Sequence, residues 1–335
     1  MSLMTGEIGA LLRGGHRFLV AGHRSPDGDA FGSALGLARG LRALGKTVDV
    51  YCPDPIPSHL AFLVEGEEIL RELPGAGRWD AAVVTDVAAP SLMPAAFPSE
   101  EIRGPLIVLD HHASHEDFGD HVIRDIAACS TGEVVWGLLR DLGLTGPSAV
   151  PPAAARALYA AVVSDTGGFR FSSTTAATLR LGAELVEAGA EPWPTARGLF
   201  EEWPRPRLEL LREVLCRIDF AFDGRLAIIE IDRELLGRTG ATDDMIDGLV
   251  GYGRRVAGVE VAALLWEQDP PSETGRVRLS LRASGDCDVA KIAGALGGGG
   301  HRSAAGATLS CSLAAARARV EATVGESLGG TVRGA

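Results

Sequence analysis

Short, almost uninterrupted apolar runs alternate with segments of helical periodicity through the first half of the chain. Arg17–His23, Thr47–Cys52, Ala81–Asp86, Leu106–Asp110 and the brief His121–Arg124 read as strands. Between and after them, Ala30–Leu44 (closed by Gly45), Thr131–Leu142, Ala153–Val163 and Thr175–Glu187 carry apolar residues at helical spacing, with Gly189 placed as a C-cap. Buried runs separated by helical patterns predict a parallel sheet with helices on its faces.

The pattern breaks at Glu191–Arg207, where Pro192, Pro194, Pro204 and Pro206 stand beside Trp193 and Trp203. Proline at this density predicts a linker without regular structure, followed by a connecting helix over Leu208–Ile218. The second half mixes strands at Leu226–Ile231, Glu260–Trp266, Arg276–Ala283 and Ala307–Cys311 with a short helix at Val289–Leu296 and a terminal helix from Leu313. The expected fold class is therefore α/β. A larger N-terminal domain (1–190) holds a mainly parallel sheet flanked by helices, a linker and helix span 191–218, and a smaller α+β domain covers 219–335. The expected arrangement is bilobal, with a cleft between the domains.

Composition narrows this picture. With 335 residues, 46% of them hydrophobic, the chain is long enough for two domains with cores. No apolar run reaches the length of a membrane span, and no signal peptide is read at the N-terminus. The five cysteines are scattered without a CxxC pair, which argues against a cysteine zinc site or a disulfide framework and points to a reducing, cytoplasmic setting. A net charge of −12 disfavours a protein that coats long nucleic acid, yet leaves a short nucleotide substrate open.

The chemistry concentrates at strand ends. Asp110-His111-His112 follows the apolar run Leu106–Leu109. Adjacent side chains on an extended chain point to opposite sides, so one histidine can ligate a metal while the other faces substrate. His23, Asp27 and Asp29 share a tight turn between a strand and a helix, although Asp29 there could equally cap the helix. Asp86 ends the run Val83-Val84-Thr85, at the edge where open α/β sheets bind ligands. Asp165 ends a helical run before Gly167-Gly168. Together His23, Asp27, Asp29, Asp86, His111 and Asp165 supply about what two neighbouring cations need, with one carboxylate bridging, and predict metal-assisted phosphoester hydrolysis. Carboxylate-rich sites lean toward manganese or magnesium. Far along the chain, Gly297-Gly298-Gly299-Gly300 precedes His301-Arg302, and free glycine N–H groups beside basic side chains suggest an anion nest.

At these residues the chain resembles the DHH phosphoesterase family. The four acidic motifs occur in family order, and Gly297–Gly306 is similar to the signature of the DHH-associated substrate-binding domain. The size most resembles the bifunctional oligoribonuclease and 3′-phosphoadenosine 5′-phosphate phosphatase subgroup, the nanoRNases. The resemblance implies two manganese(II) ions, with magnesium or cobalt as substitutes. His23 and Asp27 would hold one ion, Asp29, His111 and Asp165 the other, and Asp86 would bridge. Asp110 would orient the ligand histidine, and His112 would touch the scissile phosphate. Arg282, Gly298, Gly299, Gly300, His301 and Arg302 would hold the rest of the nucleotide. Two positions depart from the family pattern: Val87, where a small or polar residue is common, and His115, where asparagine is frequent.

The expected activity is hydrolysis of very short oligoribonucleotides, dinucleotides or 3′-phosphoadenosine 5′-phosphate. A cyclic- or linear-dinucleotide phosphodiesterase would use the same ions. A single-strand exonuclease, an inorganic pyrophosphatase and a non-catalytic nucleotide sensor rank lower. No long nucleic acid or membrane partner is expected, and a homodimer is compatible with Trp193 and Trp203.

Overall fold

The protein is described from a computed structural model covering residues 6–74, 78–268, 275–300 and 302–329. The chain divides into two compact units between Glu202 and Trp203, within the proline-rich segment.

The first unit runs α1 (Gly6–Gly14), β1 (Arg17–Gly22), α2 (Gly28–Ala43), β2 (Thr47–Tyr51), β3 (Ile69–Leu70), β4 (Ala81–Thr85), α3 (Glu100–Arg103), β5 (Leu106–Asp110), β6 (His121–Arg124), α4 (Thr131–Asp141), α5 (Pro152–Asp165), α6 (Ala176–Glu187) and α7 (Pro192–Ala196). Its six strands lie in the order β3-β2-β1-β4-β5-β6. Every pairing is parallel. Both sheet faces are covered, which is why the strands read as continuous apolar runs. Phe18 and Val20 of β1 join a core built with the helices, while Leu19 and Ala21 pack against a second cluster edged by Leu92, Met93, Phe97 and Phe118.

The strand order reverses direction between β1 and β4, and the crevice outside the carboxyl ends of such strands is where open α/β sheets take ligands. Register makes that edge level. Gly22 of β1 lies opposite Thr85 of β4, which lies opposite Leu109 of β5. The next residue of each strand is therefore His23, Asp86 or Asp110. Helices α2 and α5 cross at very short range. A Cβ on Gly32 would lie 2.6 Å from the Ala157 carbonyl oxygen, and one on Gly28 would lie 2.4 Å from Ser164 Oγ. That approach brings the start of α2, with Asp29, to the end of α5, with Asp165.

The proline-rich segment is helical, contrary to the sequence expectation. Pro192 opens α7, a single π turn follows at Arg197–Glu201, and Pro206 lies in the first turn of α8 (Arg205–Leu215). Proline has no N–H to lose in a first turn, and its fixed φ suits that position.

The second unit continues with β7 (Asp219–Ala221), β8 (Leu226–Ile231), α9 (Arg233–Thr239), α10 (Val250–Arg254), β9 (Val261–Glu267), β10 (Val277–Ala283), α11 (Val289–Ala295), β11 (Gly299–Gly300), β12 (Ala304–Leu309) and α12 (Leu313–Ser327). Its sheet, ordered β11-β12-β10-β9-β8-β7, is antiparallel except between β8 and β9. Two apolar clusters line its opposite faces. β12 begins at Ala304 rather than Ala307, because Gly299 and Gly300 pair with Gly306 and Ala305 and extend the ladder. Among the described residues, no helix is long and apolar enough to cross a membrane.

Candidate metal centre

The level strand ends and the α2–α5 crossing gather all six predicted ligand residues. His23, Asp27 and Asp86 form one group, and Asp29, His111 and Asp165 another, each with donor atoms within 4.8 Å of one another. Asp86 belongs to both sides. Its Oδ2 lies 3.7 Å from His23 Nε2, and its Oδ1 lies 3.7 Å from His111 Nε2. His111 Nε2 also stands 3.6 Å from Asp29 Oδ2 and 3.5 Å from Asp165 Oδ2.

Both histidines present Nε2 because Nδ1 is engaged elsewhere. His23 Nδ1 donates to the Arg24 carbonyl at 2.8 Å, and His111 Nδ1 lies 3.3 Å from the Ala128 carbonyl. A carbonyl only accepts, so this bond selects the tautomer whose Nε2 lone pair faces the carboxylates. Oxygen and imidazole donors in this number suit divalent cations such as manganese.

The carboxylates are held in three ways. Asp27 caps α2, its Oδ1 accepting from the amides of Asp29 and Ala30 at 3.0 Å each. Asp29, buried, accepts from Ser33 Oγ at 3.0 Å, from Thr131 N at 2.8 Å and from Gly132 N at 3.1 Å. The last two donors are the first amides of α4, so a helix N-terminus faces this carboxylate. Asp86 accepts from Thr131 Oγ1 at 2.9 Å and adopts φ 62°, a left-handed conformation that aspartate tolerates better than most residues. After Asp165 the chain turns through Gly167, Gly168 and Phe169, with φ of 58°, 73° and 60°. The glycines thus serve a left-handed turn.

Asp110 does not support His111, as the family resemblance implied. Its Oδ1 accepts from His112 Nδ1 and its Oδ2 from His115 Nδ1, both at 2.7 Å. The reason is the alternation of an extended chain, which puts residues two apart on one side and turns His111 to the other. Ser33, Thr131, Gly132 and His115 are the supporting residues that the motifs did not identify.

The electrostatics express crowding of like charge. Burial and the neighbouring carboxylates push Asp29 and Asp165 up to about 7 and Asp86 up to about 6. Burial opposes protonation of His23, but Asp27 and Asp86 outweigh it and raise the imidazole to about 10. Burial likewise opposes the charge on Asp110, yet His112 and His115 hold it down at about 2. Buried carboxylates that disfavour one another's ionisation are stabilised together by a cation. Asp27 and Asp165 are the more exposed members, and Asp29, Asp86 and Asp110 are buried, so the cluster opens to solvent on one side.

In the second unit, Arg282 on β10 is half-buried, with its guanidinium donating to Ser280 Oγ at 3.1 Å and the Leu281 carbonyl at 3.0 Å. Burial lowers its pKa. Arg302 is exposed and donates to Asp286. The glycine run is less open than a nest requires. Gly297 N donates to the Gly294 carbonyl and Gly298 N to that of Ala293, closing α11. A Cβ on Gly298 would lie 2.0 Å from the Gly306 oxygen, so glycine is needed there for close strand approach. His301 lies outside the described residues.

The chain matches the DHH family N-terminal domain over residues 17–162 and the DHHA1 domain over residues 224–326. It belongs to the DHH family and is a phosphoesterase. It is 35% identical to the bifunctional oligoribonuclease and PAP phosphatase of Thermus thermophilus, over 87% of this chain and 83% of that protein. It is 26% identical to the protein of the same description from Bacillus subtilis, over 86% and 87% of the two chains. Its type within the family is therefore that of the nanoRNases. A solved exopolyphosphatase-related protein from Bacteroides fragilis superposes with a TM-score of 0.85 at 25% identity, covering 96% of this chain and 95% of that one.

Proposed function

We propose that the protein is a manganese-dependent phosphoesterase using two cations to hydrolyse short oligoribonucleotides, dinucleotides among them, and 3′-phosphoadenosine 5′-phosphate. The observation that carries the two-cation reading is Asp86, which offers one carboxylate oxygen to each ligand group. His23, Asp27 and Asp86 would hold one ion, and Asp29, His111 and Asp165 the other, with Asp86 shared. When bound, such a pair lowers the pKa of a water and neutralises charge gathering on the phosphoryl oxygens.

The remaining work falls to the chain. Asp27 and Asp165 flank the open side, which gives the phosphate an approach. His112 is held through Nδ1 by Asp110, which directs Nε2 away from that carboxylate and toward a phosphoryl oxygen. In the cation-free protein Asp110 and Asp86 outweigh burial and raise its imidazole to about 9; with cations on Asp86, the bond to Asp110 is what favours a cationic donor. In the second unit, Arg282, Gly299, Gly300, His301 and Arg302 are assigned to the nucleotide's other phosphate or sugar, while Gly298, whose N–H closes α11, allows the close strand approach beside them. Arg282 supports this assignment best: it is half-buried and its guanidinium donates to two neutral acceptors, Ser280 Oγ and the Leu281 carbonyl, with the Asp247 carboxylate acting on it only through space.

The substrate class follows the descriptions of the relatives, which join oligoribonuclease and PAP phosphatase in one protein. The test is a manganese-dependent assay of RNA two to five nucleotides long beside 3′-phosphoadenosine 5′-phosphate, pyrophosphate, cyclic dinucleotides and long single strands. Turnover confined to the short RNA and the nucleotide is expected. Preference for pyrophosphate, a cyclic dinucleotide or long strands would overturn the assignment.

A further inference from the structure

We infer that His115 is a positioning residue that acts on the reaction through Asp110 and His112. The inference rests on the reading of His112 as a phosphate contact.

Asp110 is fully buried; its Oδ1 accepts from the ring and the backbone N–H of His112, and its Oδ2 from the ring of His115. His112 Nδ1 lies 2.7 Å from Asp110 Oδ1 but also 3.3 Å from Asp86 Oδ1. The N–H of His112 thus has two carboxylates in reach. One is a dedicated acceptor, and the other is the oxygen that Asp86 turns toward His111. His115 favours the first by holding Asp110 Oδ2, which, together with the His112 amide on Oδ1, fixes the carboxylate with Oδ1 facing the His112 ring. Without that donor, Asp110 keeps a buried oxygen with no partner and rotates to relieve it. That rotation weakens its hold on the His112 ring and lets the ring turn to Asp86.

His115 itself leads nowhere else. Its side chain is 6% exposed, and its Nε2 is buried with no hydrogen-bond partner among the described residues. Its ring stacks on Phe118, with centroids 5.4 Å apart and planes at 21°. A residue so enclosed neither meets substrate nor passes a proton onward. Its one polar bond is to Asp110, so its contribution is geometric.

The test compares His115→Phe, which keeps the ring and its stack but deletes the donor, with His115→Asn, whose amide restores one. On 3′-phosphoadenosine 5′-phosphate, His115→Phe is expected to lower kcat about tenfold or more while KM stays within about twofold, the range typical of support lost behind an active group. His115→Asn is expected to recover most of it. In a His112→Ala background, His115→Phe is expected to cost nothing further, because both changes remove one chain of contacts. The ¹⁵N NMR signals of the His112 imidazole report the same chain without turnover. The hydrogen-bonded Nδ1–H signature should persist in His115→Asn and be lost in His115→Phe. Should the Phe variant not fold, persistence of the signature in His115→Asn supports the inference and its loss overturns it. Unchanged kcat in His115→Phe, or additive losses with His112→Ala, would overturn it too. If the wild-type enzyme turns over neither substrate, the functional reading fails alone, and the NMR comparison still decides the role of His115.

Discussion

The two ligand groups sit side by side, yet they are built in opposite ways. His23 and Asp27 come from one turn, and Asp27 is exposed and held by amides of the helix it caps. Asp29, His111 and Asp165 come from three distant segments, and Asp29 is buried against the N-terminus of α4. Local construction leaves a ligand free to move with its turn. Construction across the fold holds a ligand before any ion arrives, which lowers the ordering cost of binding. The second group should therefore bind its cation more tightly and release it last, with Asp86 coupling the two.

The largest effect is expected where the comparison collapses. Asp86→Ala removes an oxygen from both groups, and kcat should fall by about 10³-fold, several kcal/mol of transition-state stabilisation. Near-normal turnover with manganese would show that Asp86 does not bridge. Asp29→Asn should weaken manganese affinity by about 100-fold and Asp27→Asn by less than about tenfold, measured by isothermal titration. Equal losses would erase the distinction drawn above. Thr131→Val keeps the amide that holds Asp29 but deletes the hydroxyl on Asp86. It should cost about tenfold in kcat, again the scale of support around a metal ligand.

The acidity of the cluster sharpens the contrast further. Asp29, Asp165 and Asp86 bind protons more tightly folded than unfolded, with folded values of about 7, 7 and 6. Such groups stabilise the fold at low pH, and the contribution is lost as pH rises from about 4 through 7. His23, raised to about 10, contributes fully below about 6.5 and loses that contribution as pH climbs through its folded value. The cation-free protein should therefore show a lower Tm at pH 8 than at pH 5. Added manganese should raise Tm more at pH 8, since it competes with protons for the same oxygens. A manganese shift independent of pH would contradict this. The smallest effect concerns the scaffold. Gly32→Val forces α2 from α5 and should destabilise by about 1–3 kcal/mol, read by denaturant unfolding.

Much of this architecture was legible because several candidate ligands follow directly on an apolar run. Val83-Val84-Thr85-Asp86 and Leu109-Asp110-His111 announce a buried strand and a polar edge together. The helix prolines and the glycine run were less legible. Pro192 and Pro206 break a helix in its middle but suit its first turn, and composition does not say which applies. Gly298 reads equally as a nest and as a strand neighbour until Gly306 is known to lie against it.

By itself the sequence determined the candidate ligands, because ligand type and strand-end placement are local properties. Only the tertiary structure decided how those residues are supported. Thr131 and Gly132 reach Asp29 across more than a hundred residues, and Asp110 serves His112 and His115 in place of His111. Buried carboxylates must find donors wherever packing brings them, and packing is settled by the crossing of α2 with α5 and the level register of β1, β4 and β5.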